Sequence, residues 1–382
     1  MRTPAAARYR RGAAGVLAAG ALAVAGCSSS GSAKAPGAAT ATPASMATSI
    51  ATPQDNWAIL PMSSDPAFWQ LFVRQGNSAS WRLVTPPGIA DNGGLVASAG
   101  QANSLTVAVR PSQLLAFSPL TQTANGGGSW TTGGLLDASV AASPDALAAD
   151  GGRLVALLSS GAIETSADAG DTWSALAKPG AIAASPAGKG CGGAVRVTSV
   201  SFGMTSAQVL AGGTCGTSGT TAVFSYSAGA GWQRARLPVS GQLVRLTFGT
   251  ALVRGKAGVS ALFDASGWTG HTPAAGSASA WTASATLPVA GSVTATGTLP
   301  QGGVWVLQSG GRAATIAAKG QQWVLLPPVP AHTSVLAAGP GGATDALAVS
   351  GDTLTVWRLA VGAMVWSKVQ GISVPIQVGS SG

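Results

Sequence analysis

Few residues in this chain are able to do chemistry. Beyond residue 27 there is one tyrosine, Tyr226, one glutamate, Glu164, two histidines, His271 and His332, and eleven aspartates. Neither histidine has a second ligand at metal-binding spacing or lies in a nucleophile motif, so each reads as a surface or turn residue. Carboxylates paired for general acid–base work would have to come from the aspartates, and several of these sit in turn sequences such as Asp91-Asn92-Gly93 and Gly351-Asp352. Cys191 and Cys215 carry more information. The runs Val195 to Phe202 and Ala207 to Ala211 read as consecutive antiparallel strands between them, which brings the two thiols to the open end of a hairpin. There they can join as a disulfide in an oxidising compartment, the alternative being two free thiols. No catalytic residue, metal or cofactor is assigned. Charged residues are 9% of the chain and no basic cluster exceeds Arg234-Ala235-Arg236, so there is no nucleic-acid footprint.

A repeat carries these residues. Ser166-Ala167-Asp168-Ala169-Gly170-Asp171-Thr172-Trp173 has a small hydroxyl, an Asp, a Gly, a Thr and a Trp at the spacing of a self-bonded hairpin corner. Asp168 can accept backbone N–H groups ahead of it, Gly170 can take a backbone angle other residues avoid, and Trp173 opens the next strand as an apolar anchor. Thr123-Ala124-Asn125-Gly126-Gly127-Gly128-Ser129-Trp130 keeps the same positions by conservative exchange. Ser225-Tyr226-Ser227-Ala228-Gly229-Ala230-Gly231-Trp232 keeps three, Lys319-Gly320-Gln321-Gln322-Trp323 keeps Gly and Trp, and Asp264-Ala265-Ser266-Gly267-Trp268 is a shorter corner. With Trp81 and Trp366, the corner tryptophans recur at 81, 130, 173, 232, 268, 323 and 366. Their mean interval of about 48 residues suits a four-stranded unit. Between them lie short Val- and Leu-rich runs broken by Gly, Ser and Pro, of which Arg153 to Leu158 and Gly303 to Leu307 are candidate inner strands. The first unit shows only three strands, at Trp57 to Leu60, Trp69 to Val73 and Trp81 to Val84. The C-terminal Ile372 to Val378 is expected to supply the fourth. The fold expected is therefore all-β, with seven four-stranded blades closed by pairing of N- and C-terminal strands.

The corner at Ser166, Asp168, Gly170, Thr172 and Trp173 resembles the Asp-box, or BNR repeat, of sialidase-like β-propellers. The resemblance covers 57 to 378 as architecture and only this octet as a specific motif. Sialidases use a Tyr nucleophile partnered by a Glu, a carboxylic acid/base and three Arg that clamp the substrate carboxylate. Tyr226 and Glu164, however, fall at the outer corners of different units, and no three of the eleven remaining Arg are singled out. A second similar family is the photosystem II assembly-factor type, from which only the idea of a scaffold carries over. Trp281 and Trp305 stand outside the seven corners, as strand-core residues or as aromatic binding residues.

The N-terminus gives an address. Arg2, Arg8, Arg10 and Arg11 precede an apolar run from Ala13 to Gly26, too short at fourteen residues to span a bilayer, for which about 20 are needed. Val24-Ala25-Gly26-Cys27 is similar to the bacterial lipobox, which implies a mature chain beginning at a lipid-modified Cys27. The domains expected are a signal peptide at 1–26, the lipidated Cys and a flexible Ser/Ala/Thr/Pro tether at 27–55, and the propeller at 56–382. Removing the four leader arginines leaves 17 basic against 12 acidic residues, a formal +5. The Ala, Gly and Arg-over-Lys bias points to a high-GC, actinobacterial-type genome. Together these readings describe a monomeric lipoprotein on the extracytoplasmic face of a bacterial membrane, binding a cell-envelope protein or glycan. The alternative is an exo-α-sialidase-like glycoside hydrolase.

Overall fold

A computed structural model of the chain describes residues 47–52, 54–62, 69–85, 95–99, 104–109, 119–135, 144–203, 208–264, 281–288 and 291–374. Among these described residues twenty-eight strands follow one another in seven sets of four: β1–β4 within 48–83, β5–β8 within 95–135, β9–β12 within 144–177, β13–β16 within 195–234, β17–β20 within 242–283, β21–β24 within 293–325 and β25–β28 within 333–373. Each set is an antiparallel meander. Five are separate four-stranded sheets, while the first and sixth join through β1 and β21 into one eight-stranded sheet. Successive first strands lie side by side around the molecule: β5 (Leu95–Ala99) beside β9 (Pro144–Asp150), β9 beside β13 (Val195–Phe202), β13 beside β17 (Gln242–Thr247), and β25 (Thr333–Ala338) against both β21 (Val293–Thr298) and β1 (Thr48–Ala51). This is an all-β propeller, and seven sets of four are consistent with seven blades.

The core lies between sheets. Second strands such as β10 (Arg153–Leu158) and β22 (Val304–Gln308) are covered on both faces and therefore read as unbroken apolar runs, Leu154-Val155-Ala156-Leu157-Leu158 and Val304-Trp305-Val306-Leu307. Both runs, expected as inner strands, occupy the second position of their sets. Six of the seven spaced tryptophans stand just before or within a fourth strand; Trp268 lies outside the described residues, and the fourth strand of the fifth set opens on Trp281. Trp281 and Trp305 are both buried in the core.

The first set has its fourth strand from an unexpected place. β1 arises from within the 27–55 stretch, whereas Ile372 and Ser373 end β28 (Ser367–Ser373), the outer strand of the last set, and 375–382 lie outside the described residues. Small hydroxyl side chains suit β1 to the inside of the ring. Ser49 accepts from Trp305 Nε1 at 2.8 Å, Thr48 donates to the Thr296 carbonyl at 2.8 Å, and the Ala51 N–H donates to Thr298 Oγ1 at 2.9 Å. A Cβ on Gly297 would come within 2.6 Å of both the Trp305 ring and the Ser49 carbonyl, so glycine there lets β1 approach.

The first and last sets are clasped by charge. Asp345 on β26 (Thr344–Ser350) is fully buried and accepts two bonds from Arg358, at 2.7 Å from Nε and 2.9 Å from Nη2, and a third from Trp81 Nε1 at 2.9 Å. Arg74 of the first set stands 3.9 Å away. Gln370 bonds both the N–H and the carbonyl of Trp81 at 2.8 Å. Burial pulls the Arg74 guanidinium below its ordinary pKa against the attraction of Asp345, while the hydrogen bond to Asp345 raises that of Arg358.

Candidate functional site

The residues singled out for chemistry are not brought together. Glu164 lies on β11 (Ile163–Ser166) and Tyr226 on β15 (Thr220–Ser227), third strands of different sheets. The Tyr226 ring packs on Trp232 at 5.2 Å between centroids and belongs to an apolar cluster. His332 is exposed in a turn with φ +62°, and His271 lies outside the described residues. Among the described residues no group of three His, Cys, Asp or Glu is placed to hold a metal.

Cys191 and Cys215 form a disulfide across 24 residues, with Cα atoms 4.9 Å apart. Cys215 ends β14 (Val209–Cys215) opposite Val195, so the bond closes the open end of the β13–β14 hairpin, as the two strand runs imply.

At Ser166–Trp173 the side chains hold the corner. Ser166 Oγ accepts the Gly170 N–H at 2.8 Å and donates to Asp168 Oδ1 at 2.7 Å; Asp168 Oδ1 accepts the Thr172 N–H at 2.9 Å, its Oδ2 takes the Thr172 hydroxyl, and Trp173 Nε1 donates to the Gly170 carbonyl at 3.0 Å. The bonds from Thr172, side chain first, and then from Ser166 depress the Asp168 pKa to about 2. The Thr123–Trp130 corner repeats this web. Thr123 Oγ1 accepts the Gly127 N–H at 2.8 Å and Asn125 Oδ1 the Ser129 N–H at 2.9 Å. Asp168 is thus consumed by its turn and is not available as an acid or base.

The site with the strongest shaping is the rim at the leading ends of the innermost strands. In five consecutive sets the first strand carries a β-bulge in its leading half, where the pairing register skips one residue: Asp145 in β9, Thr198 in β13, Val244 in β17, Thr294 in β21 and Ser334 in β25. All five retain solvent exposure, and Thr198 and Thr294 are open. Bulges re-aim side chains and interrupt pairing, and four of these five place a hydroxyl or carboxylate on the rim, at Asp145, Thr198, Thr294 and Ser334, while Val244 packs against an apolar cluster. Opposite the bulge in β13 stands Gly213, where a Cβ would lie 1.9 Å from the Arg196 carbonyl.

Positive charge lies at the same end of the strands. Arg196 is exposed beside Thr198, and Arg245 follows Val244 directly. Arg245 Nη1 donates to Thr48 Oγ1 at 2.7 Å and to the Thr296 carbonyl at 3.4 Å, tying β17 to β1 and β21. The side chain keeps some outer surface, yet its Nε is withdrawn from water with no acceptor among the described residues. Burial lowers its pKa to about 10. Among the described residues the rim offers hydrogen-bond donors and acceptors, an arrangement suited to holding a polar ligand. Nothing in the sequence marked it, because a bulge is a mismatch between two strands and exists only once they pair.

A second concavity, of 410 Å³, lies on the outer side of the sixth and seventh sets between Pro327, Pro328, Pro330, Trp357, Met364 and Trp366. It is apolar and shallow.

No family model matches the chain, and no curated protein matches it in sequence. Solved structures do match in fold. YCF48 from Cyanidioschyzon merolae aligns with TM-score 0.51 and 15% identity over 83% of this chain and 97% of its own. A GH74 xyloglucanase from Xanthomonas campestris gives 0.51 and 15% over 82% of this chain and 52% of its own. A putative 6-phosphogluconolactonase from Bacteroides fragilis gives 0.51 and 11% over 84% and 96%. At such identities the likeness establishes a β-propeller and carries no activity with it.

Proposed function

We propose that this chain is a lipid-anchored, extracytoplasmic β-propeller, attached through Cys27, whose bulged rim binds a protein or glycan of the cell envelope without chemical turnover. The observation that carries the reading is the series of bulges at Asp145, Thr198, Val244, Thr294 and Ser334, in the leading half of the first strand in five consecutive sets, four of which set a hydroxyl or carboxylate on the rim. Bulges are over-represented at rims and beside binding sites, where they re-aim side chains. Supporting it, Tyr226 is engaged with Trp232 and Glu164 lies in another sheet, which leaves a sialidase-like hydrolase without its nucleophile pair. The Asp-box corner in this reading is a fold device, and the Cys191–Cys215 disulfide suits an oxidising, exported setting.

The test is a binding isotherm of the mature protein on isolated cell envelopes, run beside Thr198→Arg/Ser334→Arg. Saturable binding lost in the double variant, with no product from a panel of glycosides including a sialoside, is the expected result. Turnover abolished by Tyr226→Phe would overturn it, as would equal binding by both proteins.

A further inference from the structure

The most exposed large apolar side chains among the described residues gather in one area. Val361, Met364 and Val365 are 75, 77 and 75% exposed in the turn between β27 (Thr353–Leu359) and β28, and Val324 and Leu325 are 61 and 72% exposed on β24 (Val324–Leu325), the outermost strand of the neighbouring set. Trp366 Nε1 donates to the Pro327 carbonyl at 3.4 Å, linking the two groups across the shallow cleft. The equivalent turns at 124–129 and 167–172 carry Asn, Asp, Ser and Thr in closed hydrogen-bond webs. At 360–366 the tip is Val361-Gly362-Ala363-Met364-Val365, which has no side chain able to form such a web.

We propose that this apolar corner, with Val324 and Leu325, inserts into the outer surface of the bilayer, so that the propeller stands on its edge. The inference rests on the lipid-anchor reading for its setting. Three features of the molecule select a bilayer as the occupant. First, the tip side chains are three-quarters exposed, with Met364 and Val365 at the lip of an open, shallow cleft that encloses neither, as suits entry into a fluid apolar phase. Second, exposed Lys319 and Lys368 flank the patch, while of the acidic residues between 285 and 374 Asp345 is buried and Asp352 lies in the turn at the opposite end of its sheet. That charge balance suits anionic head groups. Third, only 20 residues separate Cys27 from β1. An anchor at Cys27 would keep the propeller near the lipid, so that a weak insertion suffices. Strand register places the corner at the trailing end of β25, away from the bulge at Ser334, so edge-on mounting leaves the rim free.

The experiment uses the mature chain carrying Cys27→Ser, which removes the anchor, with vesicles of phosphatidylglycerol and cardiolipin. Sedimentation with the vesicles is expected, and Val361→Ser/Met364→Ser/Val365→Ser should reduce the bound fraction at least tenfold with near-UV circular dichroism unchanged. No association of the Cys27→Ser protein, or equal association of the triple variant, would overturn the proposal. So would a dimer in solution that the triple variant dissociates, since the patch would then belong to a second copy. Whether wild type fractionates with membranes in cells tests the anchor separately, so the two readings fail independently.

Discussion

The corners at 166–173 and 360–366 occupy the same place in two sheets and are built in opposite ways. The first holds itself: Asp168 and Ser166 satisfy the turn's own N–H and O–H groups, and its Ala169 carbonyl accepts from Gln122 of the neighbouring set. The second has an apolar tip, and its root is fixed from below by Arg358 on Asp345 and by Gln370 on Trp81. A turn that is locally satisfied leaves its surface inert; a turn anchored through the core leaves its tip free to meet something else. The Ser227–Gly231 corner shows a third solution, in which Tyr226 packs on Trp232 in a set stapled by Cys191–Cys215.

Breaking each support in turn grades the difference. Asp345→Ala strips a buried carboxylate from two guanidinium groups and should cost about 3–5 kcal/mol, read as a lower denaturation midpoint. If the clasp fixes the root of the apolar corner, the same variant should also raise hydrogen exchange at Trp81 and across 358–370. Cys191→Ser/Cys215→Ser should cost about 3 kcal/mol from the reopened loop. Asp168→Ala should lower Tm by less than either, because Asp168 and its partner Thr172 are open to water.

The pH dependence of that last effect has a definite sign. The folded pKa of Asp168, about 2, lies below the unfolded value of about 3.9. Its contribution is therefore present above about pH 4 and is lost as pH falls toward 2. The gap in Tm between wild type and Asp168→Ala should close over that interval. Smallest of all, Val361→Ser/Met364→Ser/Val365→Ser should leave Tm nearly unchanged, since these side chains are already in water.

Much of the fold was legible because it is written in large residues at fixed spacing. The tryptophans at 81, 130, 173, 232, 323 and 366 each sit at a fourth strand, and the two cysteines are joined. What was not legible depends on contacts distant in sequence. Thr48-Ser49-Ile50-Ala51 has the composition of the segment before it and becomes a strand through Trp305, Thr298 and Arg245. Asp345 lies 264 residues from Trp81, and nothing local marks it as the clasp. The continuous apolar runs at Arg153 to Leu158 and Gly303 to Leu307 were legible as inner strands because they are covered on both faces, as the second strands of their sets. The binding rim was hidden, since Thr198, Thr294 and Ser334 are unremarkable as residue types and acquire their position from a register shift.

Photo-cross-linking in intact cells, with a photoreactive amino acid at Ser334 on the rim in one strain and at Thr172 on the polar corner in another, tests most directly whether the rim is the working surface. A discrete, saturable adduct from Ser334 and none from Thr172 is expected. No adduct from Ser334, or the same adduct from both positions, would contradict the assignment of the rim as the binding face.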